Sequence, residues 1–165
     1  MDDFFRNDAD DYLRQLLGKS YCYTLDENPN VIVCAFTLSN SSMDVKRLPN
    51  NRKMKVITDI PREKHLSSYP AMLIGRVGVN KDFGKQGIGS ELIGFICSVA
   101  KSDHNWASCR FVTVDAYNNK NALKYYDTNG FRYLFSTEQQ EKQHIGMPED
   151  KELKTRLMYF DLLQL

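Results

Sequence analysis

Residues 71–100 constrain the fold more than any other stretch of the chain. Ala71–Val79 reads as a strand, a short connection follows, and Gly84-Lys85-Gln86-Gly87-Ile88-Gly89 opens a helix running from about Gly87 to Ala100. Within that helix Ile88, Leu92, Phe95, Ile96 and Val99 form an apolar stripe. A strand that turns through glycines into a helix leaves unpaired N–H groups and a partial positive charge at the turn. Such a turn receives phosphates, because Gly84, Gly87 and Gly89 let an anion approach the backbone and Lys85 adds a cation. A turn that only lets the helix pack on the strand is the plainer reading of the same residues. Spacing narrows the ligand. A dinucleotide loop reads Gly-x-Gly-x-x-Gly, whereas this order is Gly-x-x-Gly-x-Gly, and a mononucleotide loop needs a lysine where Ser90 stands.

The rest of the chain supplies a sheet around this unit. A helix is expected over about Asp8–Leu17, with Ala9, Leu13, Leu16 and Leu17 at helical spacing and Gly18 as its stop. Tyr21–Leu25 and Val31–Leu38 read as a hairpin around Asp26–Asn30, and residues 40–70 as an irregular loop with at most a short helix. Further strands are expected at Arg110–Ala116, Phe131–Phe135 and Thr155–Asp161. A short helix over Asn121–Thr128 is closed by Asn129-Gly130, and 136–154 reads as a long loop with helical turns. Strands outnumber helices and mix with them, so the class is α/β (α+β) around one sheet. No repeat or linker divides residues 1–165, so one domain is expected.

Composition excludes several functions. The 165 residues are 42% hydrophobic with nine Phe and nine Tyr, enough for a core and too much for disorder. A net charge of +1, from 22 basic and 21 acidic residues, argues against capture of nucleic acid or anionic membrane by the molecule as a whole. No apolar run reaches the ~20 residues of a membrane helix, and the N-terminus is acidic where a secretory signal is basic, so a cytoplasmic protein without a membrane partner is expected. Cys22, Cys34, Cys97 and Cys109 form no Cys-x-x-Cys pair and read as small buried residues. His65, His104 and His144 lack metal-ligand spacing with one another or with a cysteine, so no metal is expected.

The glycine turn resembles the signature of the GNAT superfamily of acyl-CoA-dependent N-acetyltransferases, Gln/Arg-x-x-Gly-x-Gly/Ala after the fourth strand. Gly87, Ile88 and Gly89 fill its last three positions, Lys85 and Gln86 its free ones, and Gly84 departs from the usual Gln or Arg. A second family pattern, Asn-x-x-Ala-x-x-x-Tyr-x-x-x-Gly-Phe, is matched at Asn119, Ala122, Tyr126, Gly130 and Phe131. Ala122 and Tyr126 lie one helical turn apart, with Asn119 just before the same face. The resemblance covers residues 71–135 well. It implies a mixed, mostly antiparallel sheet, splayed between the family's fourth and fifth strands near Val79, with helices on both faces. The family's first strand is missing from the pattern. The flanks at Phe4–Tyr12 and Thr155–Phe160 look like the toxin-type branch of toxin–antitoxin modules, whose members acetylate the amino group of aminoacyl-tRNA.

By that resemblance, the backbone of Gly84–Ser90 holds the pyrophosphate of acetyl-CoA, Asn119 and Ala122 flank the ligand, and Val77 and Val79 border the thioester. Tyr126 is implied as the general acid that protonates the departing sulfur, while Tyr125, about 100° round the helix, reads as packing. A thiol titrates near ~8.5 and a phenol near ~10, so that proton transfer is close to balanced. No base is evident; Asp115 and Glu91 are candidates, and a water chain would serve. The implied reaction is acetyl transfer to a primary amine by direct attack, the amine belonging to aminoacyl-tRNA, a protein N-terminus or a small molecule. The alternative is an acyl-CoA-binding module without turnover. Residues 44–64 carry Lys46, Arg47, Arg52, Lys53, Lys55, Arg62 and Lys64 against three acids and could hold a tRNA backbone, though a solvated loop has the same composition. The toxin branch also implies an antitoxin partner, and a homodimer fits the same reading.

Overall fold

The computed structural model describes residues 3–57 and 66–165. Its six-stranded sheet runs in the order β1-β2-β3-β4-β6-β5. The strands are β1 (Lys19–Thr24), β2 (Ile32–Asp44), β3 (Ser68–Val79), β4 (Phe111–Tyr117), β5 (Arg132–Tyr133) and β6 (Thr155–Asp161). All neighbours are antiparallel except β3 and β4, which run parallel as a crossover through a helix requires. The mixed, mostly antiparallel sheet expected from sequence is therefore the observed one.

Among the described residues five α-helices accompany it: α1 (Ala9–Arg14), α2 (Asn50–Val56), α3 (Ile88–Lys101), α4 (Lys120–Thr128) and α5 (Glu138–Ile145). Strand periodicity separates two cores. Ile74 of β3, Val112, Val114 and Ala116 of β4 and Met158 of β6 pack with Leu92, Ile93, Ile96 and Cys97 of α3 and Tyr126 of α4. The alternate residues Tyr69, Ala71, Phe111 and Tyr159 meet Met43, Val45, Leu48, Val56 and Ile57 on the other face. Helices thus cover both faces.

Several expectations shift. A π-helical turn, Phe4–Asp8, leads into α1, which ends at Arg14. Leu16 takes a left-handed φ of 57° and is 89% exposed, so the leucines expected inside lie largely outside. The polar run Asn40–Ser42 belongs to β2, held by its ladder with Met72, Ala71 and Pro70 of β3, where a loop was expected. The strand expected at 131–135 shrinks to Arg132–Tyr133. The loop expected at 136–154 contains α5, capped by the Thr137 side chain on the Gln140 amide and closed by Gly146 at φ 69°. Helix α3 buries Ile93, Cys97 and Ala100 and leaves Phe95 and Val99 at its exposed border, where Phe95 meets Tyr23 edge to face. Of the four cysteines, Cys34 and Cys97 are buried, Cys109 is half-buried and Cys22 is exposed.

Candidate active site

The site begins with one extra residue in β3. Thr37 of β2 pairs with Arg76 but Leu38 pairs with Ile74, which leaves Gly75 as a β-bulge. A bulge bends its strand and sharpens the twist, and here the pairing of β3 with β4 ends at the same level, Ile74 opposite Val114. Beyond it, β3 stays with β2 up to Val79 and β4 stays with β6 up to Tyr117. The two parallel strands therefore open into a gap. The bulge also changes which side chains face α3: Met72 and Ile74 do so before it, Val77 and Val79 after it.

Backbone direction follows from one hydrogen bond. The Asn80 N–H donates to Val33 O on β2 at 2.8 Å. Peptide groups alternate sides along a strand, so those of Gly78 and Arg76 also face β2, and the N–H groups of Val79 and Val77 point into the gap. These two donors are unpaired by the sheet at the place where a carbonyl oxygen could be polarised.

At the head of the gap stands the glycine turn. A 3₁₀ turn, Lys81–Phe83, is held by the Asn80 side chain on the Asp82 amide. A Cβ on Gly84 would lie 3.1 Å from Lys81 O, a tight contact at the position where the family pattern has Gln or Arg. Lys85 then takes a φ of 63°, rare outside glycine, and Gly87 takes 85° as the residue before α3. No side chain caps α3, while the Ser90 and Glu91 amides return to Gly87 O at 2.9 and 3.1 Å. The amides of Ile88 and Gly89 are therefore the ones presented at the helix end, and Ser90, expected among the ligand residues, turns its N–H inward. An uncapped turn with a left-handed glycine fits the pyrophosphate of coenzyme A, with Lys85 and Gln86 exposed beside it. Gly89 has a second use beside the one expected: a Cβ there would meet the Tyr125 ring at 3.1 Å and its hydroxyl at 3.2 Å.

Helix α4 forms the far wall. The Asn119 Oδ1 accepts from the Asn121 and Ala122 amides at 3.1 and 3.0 Å, so the motif asparagine builds the helix start. Tyr126 is 7% exposed and lies edge-on to Phe131, ring centres 5.4 Å apart. Burial, and after it the neighbouring Tyr125, raises its phenol well above the ordinary range. At that position the phenol is kept protonated across the ordinary pH range, as a hydrogen-bond donor. Tyr125, read from sequence as packing, donates its hydroxyl to Gly89 O at 2.7 Å. Burial, with Cys34 as the smaller cause, pushes its pKa to about 12. Gly130, at φ 84°, leaves room for Phe160, whose ring a Cβ would approach to 2.8 Å.

The two candidate bases separate. Asp115 is the first β4 residue beyond the last β3 pair, an exposed side chain that falls with Phe111 and Thr113 on the face away from α3; burial of its surroundings raises its carboxyl above the usual range. Glu91 is exposed in the first turn of α3, where it complements the helix dipole.

The basic segment divides as well. Arg52 of α2 donates to Tyr133 O and, at 3.1 Å, to Leu134 O, and Arg47 donates to His144 O at 3.1 Å. Both arginines complete the fold at β5 and α5, while Lys46 and Lys55 are exposed. Asp59, Arg62, Glu63, Lys64 and His65 lie outside the described residues. Among the described residues, no group of three or more His, Cys, Asp or Glu is placed to hold a metal, and no helix is long and apolar enough to cross a membrane.

Sequence reasoning missed Gly75, Tyr125 and the two arginines. A signal for the first was present: the apolar positions 72 and 74 are followed by 77 and 79, and a glycine interrupts them, the mark of a bulge.

Comparisons with known proteins agree with this fold. A bacterial toxin crystal structure superposes with a TM-score of 0.71 at 16% identity, covering 99% of this chain and 78% of the other. AtaT complexed with acetyl-methionyl-tRNAfMet gives 0.69 at 18% identity, covering 98% and 81%. A tyrosine-to-phenylalanine mutant of the AtaT toxin, bound to the C-terminus of the antitoxin AtaR and acetyl-CoA, gives 0.65 at 15% identity, covering 98% and 78%. Comparison with curated protein sequences gives no match. A sequence profile of the Acetyltransferase (GNAT) family matches residues 8–131, a span that contains the bulge, the glycine turn and the α4 motif up to Phe131. By that match the chain belongs to the GNAT acetyltransferase family, the acyl-CoA-dependent N-acetyltransferases.

Proposed function

We propose that this chain transfers an acetyl group from acetyl-CoA to a primary amine of an aminoacyl-tRNA. The observation that carries the reading is the opening of β3 from β4 beyond Ile74 and Val114, with the uncapped start of α3 at its head. Bound there, acetyl-CoA supplies an acetyl group on a thioester. The amides of Ile88 and Gly89, with Lys85 beside them, hold the pyrophosphate, and the N–H groups of Val77 and Val79 polarise the acetyl carbonyl. The amine nitrogen forms the new bond to the acetyl carbon as the carbon–sulfur bond breaks. Tyr126 donates to the departing sulfur, and the proton leaving nitrogen passes to water or to Asp115, which lies on the open face of the gap.

The likeness to AtaT, solved with acetyl-methionyl-tRNAfMet and with an antitoxin segment, supports aminoacyl-tRNA as the acceptor and an antitoxin as a partner. Lys46, Lys53 and Lys55 would meet the nucleic-acid backbone, the arginines between them being engaged in the fold. Thiol release from acetyl-CoA, measured against a panel of charged tRNAs, peptides and small amines, tests the reading. Turnover confined to charged tRNA supports it. Turnover on peptides or small amines alone replaces the acceptor, and binding of acetyl-CoA without turnover on any amine leaves a binding module.

A further inference from the structure

Tyr125 is the one side chain on α4 whose hydroxyl reaches the first turn of α3. It donates to Gly89 O at 2.7 Å, and its ring occupies the space a side chain at position 89 would fill. Its own carbonyl accepts from the Asn129 side-chain Nδ2 at 2.7 Å and the Thr128 hydroxyl at 3.0 Å, so the bridge starts from a fixed backbone. The ring also packs edge to face on Tyr126, centres 5.0 Å apart, and Tyr126 packs on Phe131 in the same manner. An unbroken line of contact therefore runs from the amide turn, through Tyr125, to the phenol proposed to serve the sulfur.

We infer that Tyr125 is a positioning residue that sets the distance between the pyrophosphate-binding turn and Tyr126. The inference rests on the coenzyme site proposed above and adds to it the reason Gly89 lacks a side chain. The pantetheine arm of acetyl-CoA has a limited reach between pyrophosphate and sulfur, so a cradle and an acid on two separate helices serve one bound molecule best when the helices are held at a matching distance. Packing alone leaves sliding freedom at a glycine; a hydrogen bond from a ring held against that glycine removes it. The residue acts through Gly89 and Tyr126, with no part in proton transfer, since its phenol is engaged by a carbonyl and is held neutral by burial.

Coenzyme A titrated calorimetrically into the full chain and its variants tests this. Tyr125→Phe keeps the ring and removes the hydrogen bond, and affinity should fall about fivefold, the scale of one such bond. Gly89→Ala should fall by a similar factor, because its methyl displaces the ring. In a Tyr125→Ala background, adding Gly89→Ala should cause no further loss, since the ring it would strike is gone. In acetyl transfer, Tyr125→Phe should raise KM for acetyl-CoA and lower kcat together, whereas Tyr126→Phe lowers kcat alone. Parent-like affinity in Tyr125→Phe, or losses that simply multiply in the double variant, would overturn the inference. A parent chain that fails to bind coenzyme A overturns the site itself, and that result is read before any variant is made.

Discussion

The glycine turn at 84–90 and the basic segment at 46–55 are both rich in donors, and the fold uses them in opposite ways. At the turn, two left-handed residues and a helix without a capping side chain leave amides pointing outward. In the basic segment, the half-buried Arg52 donates to the carbonyls of residues 133 and 134, and Arg47, at the surface, to that of residue 144. Five cations in a short run look like the stronger binding signal, yet two of them are spent on carbonyls of the fold, while the start of α3 keeps its amides without a capping side chain. What decides a binding surface is which groups the fold leaves without partners, and backbone amides held by geometry cannot be redirected as an arginine can.

The largest effect that would sharpen this contrast is expected at Tyr126. Tyr126→Phe keeps the buried ring and should lower turnover by something like ~10²-fold while leaving acetyl-CoA affinity near that of the parent. Burial raises the phenol's pKa, and an acid must be protonated to act, so its ionisation cannot cut activity in the ordinary range. The pH profile of the parent should rise as the amine deprotonates and show no falling limb from this residue below about pH 10. Parent-like turnover in Tyr126→Phe would assign the proton to another donor.

A smaller effect separates the two kinds of cation. Arg52→Ala removes hydrogen bonds to two carbonyls and should cost about 1–3 kcal/mol in urea unfolding. Lys55→Ala should stay within about 0.5 kcal/mol, as exposed substitutions do. Equal stabilities would mean that Arg52 is as available to a partner as its neighbours, and the contrast would collapse. The smallest expected change is in salt dependence: if charged tRNA binds, Lys53→Ala and Lys55→Ala should each lower the slope of affinity against salt by about one.

Much of the site was legible because its chemistry lies in local spacing. Gly87, Ile88 and Gly89 sit at a strand-to-helix turn, and Asn119, Ala122, Tyr126 and Gly130 sit within one helix and its end, so short-range pattern sufficed. The hairpin around Asp26–Asn30 was legible for the same reason. The Gly75 bulge was not, because its meaning depends on the register of β2, and Asn40–Ser42 enter β2 only through pairing with a strand some thirty residues away. Helix α5 had a readable start, Thr137 followed three residues later by Gln140, and a readable stop at Gly146, but little apolar periodicity between them. The role of Tyr125 was invisible in sequence because its partner, Gly89, lies on another helix. Likewise, nothing in a run of basic residues tells which arginine will meet a carbonyl eighty residues on.

Amide hydrogen exchange, followed with and without acetyl-CoA, tests the central claim most directly, because it reads the backbone donors one by one. Protection should appear at Val77, Val79, Ile88 and Gly89, with residues 46–55 unchanged. Binding of acetyl-CoA that leaves those four amides exchanging as before, or that protects the basic segment instead, would contradict the assignment of the gap between β3 and β4 as the coenzyme site.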